Sequence, residues 1–251
     1  MNHLGLFEGI GGFSLAARWM GWKTIAWVEK DIFCQKVLNK NFPNAKEHGD
    51  IKYFDGAKYQ GKIDIITGGF PCQPFSTAGN RKGKNDNRYL WDEMFRVICE
   101  VKPSVVVGEN VLGITSMENG ETFEKIHIDL ESKGYKVQSF VIPSAGVGAI
   151  HRRYRVWIIA YSESNFNNVT KSKLTEHSEQ QESKLGNGSF ELPTFKPFRG
   201  DIYQPCFYRG NDGFSKRLDR NRALGNAIVP QVAFEIFKII KEFLKNEQDT
   251  F

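Results

Sequence analysis

Asp64-Ile65-Ile66-Thr67-Gly68-Gly69-Phe70-Pro71-Cys72-Gln73-Pro74-Phe75-Ser76 reads as a short buried strand that stops at a glycine pair and then presents a cysteine. Ile65 and Ile66 are β-branched, and Gly68-Gly69 breaks the strand. Pro71 and Pro74 bracket the thiol. Each fixes its own φ and lacks an N–H, so Cys72 is expected on a stiff, non-helical loop. Two readings of this stretch stay open: a buried structural cysteine in a turn, or a positioned, easily ionised nucleophile.

Before this stretch, residues 4–7 read as a first strand, followed by Glu8-Gly9-Ile10-Gly11-Gly12-Phe13 and a helix over 14–20 that ends at Gly21. Strand, glycine turn and helix open a nucleotide-binding α/β unit, because glycines let backbone approach a ligand and the helix start supplies free N–H groups. Glycine turns are also common in α/β proteins that bind no nucleotide. Residues 23–28 form the next strand and end at Glu29, about 20 residues after Gly9, the spacing of an acidic residue that binds ribose hydroxyls. The plainer alternative is a surface glutamate at a strand end. Asp31 can cap a helix reaching about Asn41, with Phe33, Val37 and Leu38 inward. Gly49-Asp50-Ile51 by itself is a turn.

After Cys72, residues 77–88 are polar, basic and punctuated by glycine: a solvated loop or a mobile lid. Residues 89–101 form an amphipathic helix with Leu90, Met94, Val97, Ile98 and Val101 on one side. A valine-rich strand over 104–108 delivers Glu109-Asn110-Val111 at its C-terminal end, where open α/β sheets place their sites. A helix over 120–133, a strand over 135–142 and a strand over 156–160 follow, with His151-Arg152-Arg153-Tyr154-Arg155 between the last two. From Ser162 to about Pro205 the chain is rich in Ser, Asn, Lys, Glu and Gln, and 209–222 is basic. Leu224-Gly225-Asn226-Ala227-Ile228-Val229-Pro230 leads into a closing helix with Val232, Ile236, Ile240 and Phe243 as its stripe.

The chain has 251 residues, is 40% hydrophobic and carries a formal net charge of +5. That allows one large domain, and its mild basicity suits a nucleic-acid partner without requiring one. Cys34, Cys72, Cys99 and Cys206 make no C-x-x-C pair, and no histidines sit at zinc spacing, so neither a disulfide framework nor a metal site is expected. The N-terminus lacks a signal-peptide pattern and no run of about 18 apolar residues occurs. The expectation is a cytoplasmic protein without membrane attachment.

Pro71-Cys72-Gln73-Pro74-Phe75-Ser76 resembles the nucleophile motif of the DNA (cytosine-5)-methyltransferases. The glycine turn, Glu29, Gly49-Asp50, Glu109-Asn110-Val111, the Arg153-x-Arg155 pair and Gly225-Asn226-Ala227-Ile228-Val229-Pro230 follow in that family's order. The resemblance covers 1–160 and about 221–251. It departs at His151, where the family pattern has Gln, and in the shortness of the region that would recognise the target. It implies an α/β, Rossmann-like methyltransferase sheet from 1–161 and 221–251, with a small, irregular target-recognition region over 162–220.

The implied cofactor is S-adenosyl-L-methionine (AdoMet), bound by Phe7, Gly9, Ile10, Gly11, Gly12, Glu29, Lys30, Pro71, Leu90, Asn226 and Ile228, with Asp50 on the adenine amine and Ile51 on its ring. The implied catalytic residues are Cys72, Glu109, Arg153 and Arg155. Ser76, Arg81, Lys82, Arg88 and His151 would meet duplex DNA. The resemblance further implies a monomer that uses no metal, with a cognate restriction endonuclease as a functional rather than physical partner. Two alternatives use the same residues differently: a cytosine-5 methyltransferase acting on RNA, and a non-catalytic AdoMet-binding protein that holds nucleic acid.

Overall fold

The computed structural model describes residues 1–71, 90–149, 153–162 and 223–246. Seven strands form one sheet: β1 (Asn2–Leu6), β2 (Lys23–Val28), β3 (Lys46–His48), β4 (Ile65–Gly68), β5 (Val105–Val111), β6 (Lys136–Pro143) and β7 (Tyr154–Tyr161). Their order is β3-β2-β1-β4-β5-β7-β6. The pairs along β3-β2-β1-β4-β5 are parallel, and β7 runs antiparallel to both β5 and β6. The expected α/β sheet is therefore present, with one reversed strand near its edge.

Alternation along the central strands splits the core between the two faces. Ile66 and Val106 pack on one face with Met94, Val97 and Ile98 of α3 (Trp91–Val101) and with Ile126 and Leu130 of α4 (Glu121–Glu131). Ile65, Val105 and Val107 pack on the other, with Phe13 and Ala16 of α1 (Gly12–Trp19) and with Val232 and Phe237 of α5 (Pro230–Asn246). Burying both faces is why β4 and β5 read as unbroken apolar runs. α5 returns beside α1, where Trp22 stacks on Phe237 at 4.8 Å between ring centroids. The stretch 223–245 is long and apolar enough on average to cross a membrane. Here its apolar side, Val232, Ala233, Ile236, Phe237 and Ile240, lies buried in the core, while Lys238, Lys241 and Glu242 face outward.

Three sequence expectations shift. α2 (Ile32–Asn41) is capped by Asp31, whose Oδ1 accepts the Phe33 and Cys34 N–H groups at 2.9 and 3.1 Å, but its buried residues are Cys34 and Leu38. Phe33 and Val37 are half-buried beside them. In α3 the inward stripe begins with Trp91, and Leu90 sits at the N-cap. In α5, Phe237 takes the deeply buried place expected of Phe243, which instead meets the Tyr161 ring edge-on.

Candidate active site

Strand register brings the sequence motifs to one edge. Leu6 pairs with Val28 and with Gly68, and Gly68 pairs with Gly108. The residues that follow, Phe7-Glu8-Gly9, Glu29, Gly69-Phe70-Pro71 and Glu109-Asn110, therefore emerge side by side at the C-terminal ends of the parallel strands. β7 is antiparallel, so it is its beginning that reaches this edge. Arg155 pairs with Val111, and Arg153 stands just before the strand. A cleft of about 410 Å³ opens there, bordered by Phe7, Gly9, Glu29, Lys30, Asp50, Ile51, Pro71, Leu90, Glu109, Arg153, Arg155 and Asn226.

At one end, Glu29 is held from both sides: Oε2 accepts the Gly9 N–H at 2.7 Å and Oε1 the Asp31 N–H at 2.8 Å. Each oxygen keeps a lone pair for a further donor. Gly9 adopts φ +58°, and Phe7, beside it, is a non-glycine residue at φ +51°. Such strain costs of order 1–3 kcal/mol and persists where surrounding structure fixes it. Two residues beyond His48, whose carbonyl takes the Glu29 N–H, Asp50 caps a short turn, accepting the Lys52 N–H at 3.1 Å through Oδ1 while Oδ2 pairs with Lys30 Nζ at 2.8 Å. The hydrogen bond from Lys30 holds the Asp50 carboxyl below its usual range.

At the other end, Glu109 is buried and Arg155 Nε lies 2.9 Å from its Oε1, an ion pair by distance without an aligned N–H···O bond. Burial raises the Glu109 pKa, opposed by Arg155 and then by Arg153. Arg153 Nε is itself buried with no hydrogen-bond partner among the described residues, and burial lowers the Arg153 pKa. The neighbouring Asn110 side chain links this end to the cysteine loop: its Nδ2 donates to the Phe70 carbonyl at 3.0 Å and its Oδ1 accepts the Val111 N–H at 2.8 Å. Two residues past that carbonyl comes Cys72.

Ile10, Gly11, Gly12 and Ile228 are not among the residues that border the cleft. A Cβ on Gly12 would stand 2.6 Å from Ile228 Cγ1, and one on Gly11 2.7 Å from the Phe42 ring. These two glycines admit close packing against neighbouring side chains. Cys72, Ser76, Arg81, Lys82, Arg88 and His151 lie outside the described residues, as does 163–222, most of the expected recognition region. The sequence reading gave Asn110 no role of its own and passed over Cys34, which borders the cleft from α2. It also missed Glu8, which is buried beneath β1 with Oε1 accepting the Ser14 N–H at 2.7 Å. No local pattern distinguishes that glutamate from a surface residue of a turn.

The family model described as C-5 cytosine-specific DNA methylase matches residues 1–197. The Type II methyltransferase M.PspPI of Psychrobacter sp. (strain TA137) is 42% identical over 134 residues, covering 53% of this chain and 32% of its own length. The Type II methyltransferase M.HhaI of Haemophilus parahaemolyticus is 34% identical over 162 residues, covering 64% and 49%. Among solved structures, a prophage-encoded E. coli protein assigned as a DNA modification methyltransferase superposes with a TM-score of 0.57 at 28% identity, covering 65% of this chain and 47% of that one. The chain spans about a third to a half of the length of these relatives. With the family model matching most of its length, this chain belongs to the C-5 cytosine-specific DNA methylase family.

Proposed function

We propose that this protein transfers the methyl group of AdoMet to carbon 5 of a cytosine in a specific duplex DNA sequence, by flipping the base and forming a covalent adduct through Cys72. One observation carries the reading. Glu29, with both oxygens oriented by backbone N–H groups, and Glu109, with Arg153 and Arg155, share a single cleft beside Pro71, the residue before Cys72.

The cleft suits AdoMet. Its volume of about 410 Å³ lies within the range of small-molecule sites. Glu29 offers free lone pairs for two ribose hydroxyls. Asp50 offers an acceptor for the adenine amine, with the buried Ile51 side chain for the ring. Lys30 and Leu90 border the same space, and Asn226 reaches it from the turn before α5. Bound AdoMet supplies an electrophilic methyl group on a sulfonium.

The residues of this chain would do the rest. The Cys72 thiolate adds to carbon 6 of the flipped cytosine, making an S–C6 bond and leaving electron density at carbon 5. Burial raises the Glu109 pKa, which favours a carboxyl that shares its proton with the ring nitrogen and accepts from the exocyclic amine, stabilising the charge pushed into the ring. Arg153, with a buried Nε that has no described partner, donates to the ring carbonyl oxygen. Arg155 orients the Glu109 carboxyl. Carbon 5 takes the methyl group and S-adenosyl-L-homocysteine is left, the carbon 5 proton leaves to a base, and the S–C6 bond breaks to return the thiolate. Extruding the base costs a few kcal/mol. Ser76, Arg81, Lys82, Arg88 and His151 would offset that cost on the DNA, giving salt-sensitive binding. Residues 162–220 would read the sequence, set into a catalytic unit of 1–161 and 221–251. The same reading makes the protein a cytoplasmic monomer that works alongside a restriction endonuclease without binding it.

Trapping on duplex DNA that contains 5-fluorocytosine tests this. Fluorine cannot leave as a proton does, so the wild type should stay attached to DNA through denaturing electrophoresis in the presence of AdoMet, and Cys72→Ser should not. A missing wild-type band while AdoMet still binds would overturn the DNA reading, and the same trap on RNA would then separate an RNA methyltransferase from a non-catalytic protein.

A further inference from the structure

Asp50 and Ile51 form one wall of the cleft on a segment that does little to hold its own shape. Ile51–Tyr53 is a single 3-10 turn. Its own backbone contributes the Tyr53 N–H to Asp50 O bond at 3.0 Å and the Phe54 N–H to Ile51 O bond at 3.1 Å. Tyr53 is 88% exposed and adds no packing. So short a turn does not recover its ordering entropy from local bonds alone.

Ile51 and Phe54 are buried in the core and Lys30 pairs with Asp50, and α3 adds the polar restraint on the backbone of the turn. Arg96 Nη2 donates to the Ile51 carbonyl at 2.8 Å, and Nη1 donates to the Phe54 carbonyl at 3.0 Å. The guanidinium is held by Glu93 at Nε, 2.9 Å, and by Glu100 at Nη1, 2.7 Å. The other Glu100 oxygen accepts the Gly56 N–H at 2.8 Å, so the following turn closes on the same group. A Cβ at Gly56 would stand 2.8 Å from that oxygen. One planar cation thus fastens both sides of the turn to a helix, a task for a fixed fork of donors rather than a point charge. α3 is a firm anchor: Trp91 Nε1 donates to Asp129 of α4 at 2.8 Å, and Lys125 pairs with Asp92. Arg96 does not border the cleft.

We propose that Arg96 is a positioning residue for the adenine end of the cofactor, acting through the carbonyls of Ile51 and Phe54 to fix Asp50 and Ile51. This rests on the AdoMet reading above. Because Arg96 sets the place of the adenine acceptor and bonds neither Glu29 nor Glu109, its loss should damage base discrimination selectively.

Titration calorimetry with S-adenosyl-L-homocysteine and S-inosyl-L-homocysteine tests it, since the second ligand carries a carbonyl oxygen where the first has the exocyclic amine. The wild type should favour the adenine form, whose amine donates to Asp50. In Arg96→Ala and Arg96→Lys the adenine form should bind about tenfold more weakly, the cost of one displaced charge-assisted contact. The preference between the two ligands should shrink towards unity. With AdoMet, KM should rise while kcat stays within about twofold, as for lost binding without lost chemistry. Glu29→Gln should weaken both ligands alike and keep the preference. Arg96→Lys preserves the cation and serves as the test if the alanine variant does not fold. An unchanged preference and KM in the folded variant, or a fall in kcat at constant KM, overturns the assignment of Arg96. A wild type that binds neither ligand instead overturns the cofactor reading, and the proposal with it.

Discussion

Replacing Glu8 by Gln should make the protein more stable at alkaline pH and leave it nearly unchanged at acid pH. Glu8 lies between the start of α1 and the underside of β1. Its Oε1 takes the Ser14 N–H at 2.7 Å, while its Oε2 is buried with no partner among the described residues. Gly5 leaves the room it occupies, since a Cβ there would fall 2.0 Å from Oε2. Burial pushes the Glu8 pKa from its ordinary 4.5 up to about 7, with a smaller push from the neighbouring Glu29 and opposition from the Ser14 hydrogen bonds. The folded protein therefore keeps this proton where the unfolded chain has released it. Stability falls as pH rises from about 4.5 and levels off above about 7, the full loss being about 2.5 pK units at 1.36 kcal/mol each, or roughly 3 kcal/mol.

Gln cannot ionise, and its oxygen can still accept the Ser14 N–H. Urea unfolding of both proteins from pH 4.5 to 8.5 should show the variant gaining on the wild type by roughly 3 kcal/mol across that range, equivalent to a Tm difference of about 10 °C for a chain of this size. His3 does not confuse the comparison. It is buried against the hydroxyls of Thr24 and Thr67 and pushed down to about 3 by burial, so it removes stability from both proteins alike as pH falls below 6.5. A stability difference that stays flat across the pH range would refute the reasoning, because Glu8 would then titrate alike in the folded and unfolded chains.

Two further predictions concern the far end of the cleft. Asn110→Ala should cost about 1–3 kcal/mol by stranding the buried Phe70 carbonyl, and should slow single-turnover methylation because the approach to Cys72 loses its tether. Unchanged stability in urea would mean that the carbonyl does not depend on Asn110. Arg155→Met removes the cation that opposes the burial of Glu109, so the Glu109 pKa should climb further. A limb of the kcat/KM profile that reports loss of the Glu109 proton should then move to higher pH. A limb that stays in place, whatever the absolute rate, would separate Arg155 from the titration of Glu109.

Local chemistry wrote most of the elements into the chain. β2 falls on Lys23–Val28 as its β-branched and aromatic residues predict, Asp31 caps α2, and the stripe Met94-Val97-Ile98-Val101 is buried as its spacing requires. In each case the signal lies within a few neighbouring residues, where side-chain period and cap chemistry operate. The motifs at strand ends were legible for the same reason, since a turn of Gly, Pro and a reactive side chain declares itself locally.

What the sequence alone determined was the set of strands and helices, the family resemblance, and the chemical types gathered at the strand ends. Tertiary structure decided which groups meet. Arg155 reaches Glu109 because β7 runs antiparallel to β5, a pairing between residues some 46 positions apart that no local period encodes. Asn110 bonds Phe70, 40 positions away, and Arg96 bonds Ile51, 45 positions away, each across strand or helix packing. Glu8 looks like any polar turn residue until β1 and α1 close over it and take away its water, and desolvation of that kind depends on the whole fold. Gly11 and Gly12 follow the same rule: the chain marks them as permissive, and only the fold shows Phe42 and Ile228 pressing on them and a φ of +93° at Gly11.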